Sequence, residues 1–323
     1  MKVLVSGSTG LVGEALIKEL HAKGHSVVRL VRDHRRHTEP CVQWNPAEGE
    51  LSAAELEGIE AVVHLAGESI IGCWKGDKKQ KIEESRVKGT KLLAETLAKM
   101  DTPPKVLVSA SAIGYYGDRG NETLTEVSGH GHPTMPETPK CSPLDASLFW
   151  GSYAAFLPRV CAEWEGACQP ARDANIRVVN IRTGVVLSMK GGALKMMYLP
   201  FQLGVAGDLS FGGKQYFSWI TLEDEVGAII HCLENESLRG PVNLTAPNPV
   251  TNHEFTMALR RRLLPWPISE VNIPLPGWKI KLLTGDLGKE VFLASAKVKP
   301  VRLQETGYKF KHATLKEALK AVI

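Results

Sequence analysis

Three glycines near the start of the 323-residue chain have a spacing that suits phosphate binding. Gly7, Gly10 and Gly13 recur at every third position, between an apolar run at 3–5 and an amphipathic helical pattern that begins at Leu11. A turn of this kind offers free backbone N–H groups and the positive end of a helix dipole to an anion. Gly7 allows the tight turn, Gly10 the close approach of a pyrophosphate, and Gly13 the close packing of helix on strand. The spacing predicts a dinucleotide site, the alternative being a tight strand–helix turn without a ligand.

Arg32 stands at the end of the second apolar run, where dinucleotide-binding folds contact the ribose of the cofactor. Enzymes that prefer NAD place an acidic residue at this point, and its usual position here falls near Val31, which is apolar. A guanidinium matches a phosphate in a bidentate way, so Arg32 favours NADP(H) with its 2′-phosphate. The neighbouring Asp33 leaves the opposite preference open, because its carboxylate could face the ribose.

Ser111 and Tyr115 carry hydroxyl groups just after another apolar run, at residues 105–109. Hydroxyls at the carboxyl end of a parallel strand point into the crevice where ligands bind. Both side chains are therefore candidates for a hydrogen bond to a reacting oxygen. The alternative is turn chemistry, because serine and glycine are favoured in turns irrespective of function. His64 lies within an apolar run and is interpreted as a core residue.

Alternating strand and helix patterns must place these residues at one edge of a sheet. The predicted strands lie at residues 3–5, 25–32, 59–67, 105–109, 176–182 and 242–244. Helices are predicted at 11–24, 77–100, 222–233, 252–263, 278–283 and after a capping box at 314–317, and a further one has Pro158 near its start and Cys161, Trp164 and Cys168 on one side. Such alternation is typical of an α/β fold with a parallel sheet. Residues 191–219 are interpreted as loop-like, and residues 118–151 as a lid, a binding loop or a disordered segment.

Composition and charge narrow the class of protein. An apolar fraction of 43% and a charged fraction of 23% are ordinary for a globular protein, and a net charge of +4 is too small to indicate nucleic-acid or membrane binding. Six scattered cysteines without a C-x-x-C motif indicate reduced thiols rather than a disulfide framework or a zinc site. No apolar stretch reaches the ~18 residues of a membrane span, and no leader pattern precedes the first strand. We expect a cytoplasmic protein without a bound metal.

Taken together, the motifs resemble those of the short-chain dehydrogenase/reductase superfamily in its extended and atypical members. The closer resemblance is to the epimerase-family group (NAD-dependent epimerase/dehydratase-like) that carries a C-terminal domain of unknown function. The matching segments, which extend over essentially the whole chain, are Gly7–Gly13, Leu65-Ala66-Gly67-Glu68, Ser85-Arg86, Ser109–Asp118, Trp164-Glu165, Arg182–Leu187, Leu199-Pro200-Phe201, Ser218-Trp219-Ile220 and Gly307-Tyr308.

The resemblance implies a fold, a domain division and a cofactor. The implied fold is an α/β Rossmann domain with a doubly wound parallel sheet over residues 1–240, followed by a smaller substrate-side domain over residues 241–323. The implied cofactor is NADP(H). The residues implied to bind it are Gly7, Thr9, Gly10, Leu11, Val12, Gly13, Arg32, Leu65, Ala66, Gly67, Arg86, Ser109, Thr183, Gly184 and Val185.

The resemblance is incomplete at the residues that would do the chemistry. Typical members combine a serine with a Tyr-x-x-x-Lys motif, in which the lysine lowers the pKa of the tyrosine. That motif occurs nowhere in this sequence, and only Ser111 matches the catalytic set. Tyr115 or Tyr116 remains as the substitute proton donor. Two hypotheses follow: an oxidoreductase or epimerase acting on a carbonyl or sugar-nucleotide substrate, or a catalytically silent NADP(H)-binding protein that regulates or senses redox state. Either hypothesis leaves a homodimer open.

Overall fold

The structure, a computed structural model, describes residues 1–33, 39–72, 74, 76–131, 156–210, 212–272, 274 and 287–323. Its strands are β1 (Lys2–Ser6), β2 (Ser26–Val31), β3 (Cys41–Gln43), β4 (Ala61–His64), β5 (Val106–Ala112), β6 (Thr123–Leu124), β7 (Arg177–Thr183), β8 (Val185–Leu187), β9 (Tyr216–Phe217), β10 (Trp219–Thr221), β11 (Gly240–Leu244), β12 (Val250–Thr251) and β13 (Lys297–Val298). Its α-helices are α1 (Leu11–Ala22), α2 (Lys78–Leu97), α3 (Phe156–Gly166), α4 (Gln169–Asp173), α5 (Gly192–Gln202), α6 (Leu222–Glu234), α7 (Asn252–Leu263), α8 (Val301–Glu305) and α9 (Leu315–Val322).

Seven of the strands form one sheet, in the order β11-β7-β5-β4-β1-β2-β3. Every neighbouring pair in it is parallel, and Val5 of β1, for example, lies between Val63 of β4 and Arg29 of β2. The chain first extends the sheet from β1 to one side and then crosses to β4 on the other, so the strand order reverses between β1 and β4. Ligands of such sheets bind at that reversal, outside the carboxyl ends of the strands. The doubly wound α/β fold predicted from the sequence is confirmed.

Helices cover both faces of the sheet, which explains why its strands bury apolar side chains on both faces. Successive residues of β1 point to opposite faces. Val3 and Val5 pack into the core beneath α1 and α6, whereas Leu4 packs into the core beneath α2 and α4. A shift of one residue would exchange the two faces, so this packing fixes the register of the strands. The residues that follow each strand are therefore held at defined positions along the carboxyl edge.

The segment at 191–219 differs from its prediction as a loop. It contains the helix α5, followed by the short strands β9 and β10. Leu194 and Phe201, seven positions apart, are buried on one face of α5, as in an amphipathic helix. Pro200 stands in the last turn of that helix and, together with the surrounding glycines, conceals the pattern in the sequence. The loop prediction was wrong over residues 192–202.

The elements after the sheet form a smaller layer near the C-terminus. Helix α7 has its predicted bounds at 252–263, and α9 begins at the predicted capping box of Thr314 and Glu317. Strand β11 belongs to the large sheet, although most of it follows the boundary expected at residue 240. The division into two domains stays a prediction, and the helix predicted at 278–283 lies outside the described residues.

Two features suggested by composition, a membrane span and a metal site, can be examined only among the described residues. Among them, no helix has the length and apolarity that a bilayer crossing requires. In the same part of the chain, no group of His, Cys, Asp and Glu side chains is arranged to hold a metal ion. Of the long segment expected at 118–151, residues 118–131 are described and include β6, which pairs with β13. Residues 132–151 lie outside the described part.

Candidate functional site

The glycine turn has the tight geometry that its spacing predicts. Gly7 adopts a φ of +64°, in the left-handed region that favours glycine, and a Cβ there would lie 2.7 Å from the carbonyl of Leu65. A Cβ on Gly13 would lie 2.2 Å from the carbonyl oxygen of Gly7. These are contacts with backbone atoms, which cannot rotate away. Glycine is thus required at both positions for α1 to begin directly against the end of β1.

The start of α1 is open to an anion. Gly10 precedes the helix and supplies no side-chain cap, so the first N–H groups of the helix keep their hydrogen-bonding capacity. Leu11 and Val12 are only partly buried at this end. The helix dipole adds positive potential at the same point. This cradle, which any Cβ would fill, fits the pyrophosphate of a dinucleotide.

Arg29 of β2 contacts the glycine turn, and Arg32 follows the end of that strand. Arg29 donates a hydrogen bond to the carbonyl oxygen of Ser8 at 2.9 Å, so it holds the glycine turn from the side. No local sequence signal marks Arg29, because its position beside Val5 follows only from the pairing of the strands. Arg32 follows β2, is exposed, and helps to lower the pKa of the Glu68 carboxyl, so its charge faces the loop after β4. That place suits contact with a cofactor's ribose end.

A buried polar chain fixes the loop that follows β4. The N–H groups of Leu65 and Ala66 donate to the Ser6 hydroxyl at 3.1 and 3.2 Å, so this hydroxyl must donate its own proton to Nδ1 of His64 at 2.7 Å. His64 Nε2 then donates to Thr90 at 3.0 Å. Burial lowers the pKa of His64 to about 4, in agreement with a neutral ring. His64 is therefore a structural residue that positions the loop.

Arg86 packs against the backbone of the same loop, the one that follows β4. Its guanidinium donates to the carbonyl oxygen of Glu68 at 2.9 Å and stacks on the ring of Trp164 at 5.0 Å from its centre. Gly67 passes directly over it, because a Cβ there would lie 3.4 Å from the guanidinium carbon. Arg86 thus supports the backbone of residues 67–68. Direct contact of Arg86 with a cofactor stays a prediction.

Ser111 is held at the carboxyl end of β5 by a buried ion pair. Its hydroxyl donates to Oε1 of Glu165, on α3, at 2.7 Å. Arg182, at the end of β7, donates to both oxygens of Glu165 at 2.7 and 2.9 Å. The Arg182 side chain is 3% exposed and that of Glu165 is 12% exposed, so the pair is largely desolvated. Ser109, two positions earlier, is fully buried within the strand, and its contact with a cofactor stays a prediction.

The two tyrosines after β5 contact each other and both lie next to Arg182. Tyr116 is fully buried, accepts a hydrogen bond from Arg182 at 3.0 Å and donates one to Asn243 at 2.7 Å. Burial raises its pKa to about 12. A hydroxyl enclosed in this way cannot reach a substrate, which corrects the assignment of Tyr116 as a proton donor. Tyr115 is half-buried, and its ring lies flat on the Arg182 guanidinium at 3.4 Å.

Helix α3 presents apolar side chains where the superfamily places its tyrosine and lysine. Leu157 and Cys161, four residues apart, both lie next to Gly114, beyond the end of β5. Burial raises the pKa of the Cys161 thiol to about 12, so it is no nucleophile at neutral pH. A carboxylate from the C-terminal part of the chain caps the start of this helix. Glu290 accepts hydrogen bonds from the N–H groups of Phe156 and Leu157 at 3.0 and 2.7 Å.

Thr183 and Gly184 form the turn that ends β7. A Cβ on Gly184 would lie 2.8 Å from the carbonyl oxygen of Ser218, so the turn packs closely on the strand that precedes α6. Thr183 donates its hydroxyl proton to Glu225 at 2.8 Å. Glu225 is 1% exposed, and burial raises its pKa to about 8.

Sequence reasoning missed three residues of this site: Arg29, Glu165 and Glu225. Glu165 stands in a motif that the resemblance did cover, but nothing in that motif indicates its partners. Glu225 occupies the apolar face of α6, where a carboxyl group breaks the hydrophobic pattern. A charged residue at an expected core position is the signal that could have identified it.

Two family models cover most of the chain. Residues 3–139 match the NAD dependent epimerase/dehydratase family, and residues 275–322 match a domain of unknown function, DUF1731. The first match contains the glycine turn, the loop after β4 and Ser111. The second contains Glu290.

Full-length relatives and solved structures show the same relationship. The chain is 37% identical over 319 residues to an epimerase family protein of Mycobacterium bovis, covering 98% of this chain and 96% of that protein. The crystal structure of human epimerase family protein SDR39U1 with NADPH aligns with a TM-score of 0.80 and 31% identity, over 100% of this chain and 99% of the human one. The structure of a nucleoside-diphosphate sugar epimerase from Corynebacterium glutamicum aligns with a TM-score of 0.76 and 32% identity, over 100% of this chain and 58% of that longer chain.

Proposed function

The chain belongs to the epimerase family, with an NAD-dependent epimerase/dehydratase domain and a C-terminal DUF1731 domain, and we propose that it is an NADP(H)-dependent oxidoreductase or epimerase acting on a carbonyl or sugar-nucleotide substrate. One observation carries this proposal: the Ser111 hydroxyl stands at the carboxyl edge of the sheet, bonded to a buried carboxylate. The NADPH in the human structure and the name of the Corynebacterium protein support the choice of cofactor and substrate class.

The residues present fit a bound NADP(H). The glycine turn and the start of α1 would hold the pyrophosphate, and Arg32 would pair with the 2′-phosphate. The turn at Thr183–Val185, on the opposite side of the reversal from β2, would hold the nicotinamide end. Bound there, the nicotinamide ring supplies or accepts a hydride.

Ser111 and Glu165 supply a route for the proton. Ser111 is 4% exposed, and because its proton points to Glu165, we propose that the remaining lone pairs of its oxygen accept the proton of a substrate hydroxyl. With bound NADP⁺ as the hydride acceptor, oxidation of a substrate hydroxyl would pass the hydroxyl proton to the Ser111 oxygen, while the Ser111 proton would pass to Oε1 of Glu165. Reduction returns both protons along the same path. Arg182 neutralises the carboxylate charge before transfer. Ser111 is the residue that would touch the substrate, Glu165 accepts the proton through Ser111, and Arg182 positions Glu165.

Replacing Ser111 with alanine tests this route. We expect the rate of hydride transfer to NADP⁺ from a nucleoside-diphosphate sugar that the unmodified protein oxidises, followed by the absorbance of the reduced nicotinamide, to fall by about a hundredfold to ten-thousandfold. NADPH affinity is expected to stay within about twofold, because the glycine turn is unchanged. Ser111→Thr keeps a hydroxyl and is expected to restore most of the rate. Equal rates in Ser111→Ala and the unmodified protein would refute the assignment of Ser111.

Replacing Arg32 with alanine tests the choice of cofactor. A charge-assisted hydrogen bond to a phosphate contributes about 1.5–3 kcal/mol, so NADPH affinity is expected to fall about tenfold to a hundredfold. NADH, which has no 2′-phosphate, should bind as before. The exposed Arg262 provides a control, since Arg262→Ala removes the same charge at the far end of α7. If Arg32→Ala weakens NADPH and NADH alike, the 2′-phosphate assignment fails.

A catalytically silent NADP(H)-binding protein is the second candidate. The apolar pair Leu157 and Cys161 favours it, because this face of α3 carries no group that could tune a tyrosine. Titration of NADPH together with a screen of carbonyl substrates separates the two candidates. Binding of NADPH without hydride transfer, and a protein partner recovered only when NADPH is present, would support the second.

A further inference from the structure

Exposed apolar side chains are concentrated on one part of the surface, far from a random distribution. In the described part of the chain, ten large apolar side chains are exposed, and seven of them lie within residues 196–205 and 266–271. Single exposed apolar residues are ordinary on a protein surface, but a contiguous group of them marks a contact site. The seven, together called the apolar patch, are Met196, Leu199, Leu203, Val205, Trp266, Ile268 and Val271.

One half of the apolar patch is the outer face of α5. Met196, Leu199 and Leu203 recur at i, i+3 and i+7, so they project from the same side of the helix, and each is more than half exposed. The opposite side of α5 is buried through Leu194 and Phe201. A helix that is apolar on both sides is normally enclosed on both. The outer face of α5 therefore lacks a partner among the described residues.

A buried arginine joins α5 to the other half of the patch. Arg260 is 1% exposed, and its guanidinium donates to the carbonyl oxygens of Gly204, Ala206, Ile268 and Ser269 at 3.2, 2.7, 2.7 and 3.3 Å. A Cβ on Gly204 would lie 4.0 Å from a side-chain carbon of Ile268, so the two segments touch. The patch is thus contiguous and is held in place before anything binds to it, which reduces the entropy that association costs.

The composition of the patch indicates a permanent partner. Residues 196–206 and 263–269 contain no charged side chain. Interfaces that form and dissociate are about as polar as the rest of a protein surface, whereas homodimer interfaces are more apolar. A membrane-binding face would carry a cluster of about four to eight basic residues. Lys195 borders this patch, but of the arginines at 260–262 one is buried and another is paired with Glu270.

The size of the patch also suits a dimer. A stable interface removes about 800 Å² from each partner, and in homodimers about 65% of it is apolar, which is on the order of 500 Å². Trp266 is 81% exposed, and the six smaller side chains are each between 51% and 66% exposed. Together they offer an apolar area of the same order.

We propose that the apolar patch is the interface of a homodimer, in which α5 of one copy packs against α5 of a second copy. Such an interface is isologous, so the residue at the two-fold axis meets its own image. Leu199 stands between Met196 and Leu203 on the outer face of α5 and is expected nearest to the axis. With the two helices antiparallel, Met196 of each copy packs against Leu203 of the other. This inference is independent of the proposed function.

Sedimentation equilibrium of the unmodified protein and of two variants tests the proposal. We expect the unmodified protein to have the mass of two chains at micromolar concentration. Leu203→Glu brings two like charges into the contact and is expected to weaken association at least about a hundredfold. Trp266→Ala removes the largest side chain of the patch and is expected to weaken association about thirtyfold. Both side chains are exposed in the single chain, and circular dichroism checks that each variant folds.

Val127→Glu is the matched control. Val127 is 88% exposed and lies outside the patch, in the segment after β6. The same kind of change from an apolar to a charged side chain is expected to leave the dimer intact there.

Each other outcome would overturn the proposal. If the unmodified protein is a monomer, the patch is not a dimer interface. Cosedimentation of that monomer with vesicles of phosphatidylcholine and phosphatidylglycerol, lost in Leu203→Glu, would assign the patch to a membrane surface instead. A dimer that persists in both Leu203→Glu and Trp266→Ala would have its interface elsewhere. None of these results depends on NADPH, so the proposed function would stand or fall separately.

Discussion

Replacing Glu165 with alanine is expected to destabilise the folded protein by about 3–5 kcal/mol, because it leaves Arg182 buried without its partner. Arg182 is 3% exposed and makes two of its hydrogen bonds to this carboxylate, at 2.7 and 2.9 Å. An arginine cannot lose its proton to relieve the cost. The free energy of unfolding in urea measures the effect.

A matched control exists on the surface. Arg261 and Glu270 form an ion pair through two bonds of 2.8 Å each, nearly the same geometry as the buried pair, but their side chains are 59% and 42% exposed. Exposed pairs contribute little, because water solvates both charges and salt screens them. Glu270→Ala is therefore expected to change the stability hardly at all. If Glu165→Ala lowers the free energy of unfolding no more than Glu270→Ala does, the buried pair does not organise the end of β5.

Replacing Gly13 with alanine is expected to weaken NADPH binding about a hundredfold or more, which corresponds to about 2.7 kcal/mol. The new methyl group would lie 2.2 Å from the Gly7 carbonyl oxygen and 3.0 Å from the Cα of Ser8. Both are backbone atoms of the turn itself, so α1 must move away from β1 before the side chain fits. The quenching or enhancement of NADPH fluorescence measures the affinity, and a thermal melt shows whether the variant folds.

Gly166→Ala is the control for the Gly13 variant. Gly166 ends α3, has an ordinary φ, and a Cβ there meets no atom within 4 Å. The same chemical change at this position is expected to leave NADPH affinity and melting temperature nearly unaltered. A folded Gly13→Ala protein that binds NADPH as tightly as Gly166→Ala would show that the cofactor lies elsewhere.

The geometry of the glycine turn was largely predictable, because its signals are local. The glycine spacing, the apolar run before it and the helical pattern after it lie within twenty residues, and each has one physical reason for its place. The position of Arg32 after the second strand likewise follows from the number of residues that separate it from the glycines. The strand order also follows from the alternation of strands and helices once the chain is known to be doubly wound.

The reacting end was less predictable, because its contacts join distant parts of the chain. Ser111 meets Glu165 across 54 positions, and Tyr116 meets Asn243 across 127. The sequence indicates that hydroxyl groups follow β5, but not that Tyr116 turns into the core while Ser111 turns toward α3. Only the packing of α3 and β7 against this strand decides that difference.

The C-terminal part contributes in a way that no motif indicates. Glu290 lies within the residues that match DUF1731, yet its carboxylate holds the first turn of the helix that carries Glu165. Negative charge at a helix N-terminus is favourable, so this contact stabilises the first turn of α3. The two matched regions are therefore coupled through the helix on which the proposed proton route depends.

Titration of the unmodified protein with NADPH and with NADH tests the central claim most directly. The claim is that the glycine turn and Arg32 form an NADP(H) site on a doubly wound sheet. We expect NADPH to bind with one site per chain and at least about tenfold more tightly than NADH, since only NADPH carries the 2′-phosphate. Absence of NADPH binding, or equal affinity for the two dinucleotides, would contradict the account.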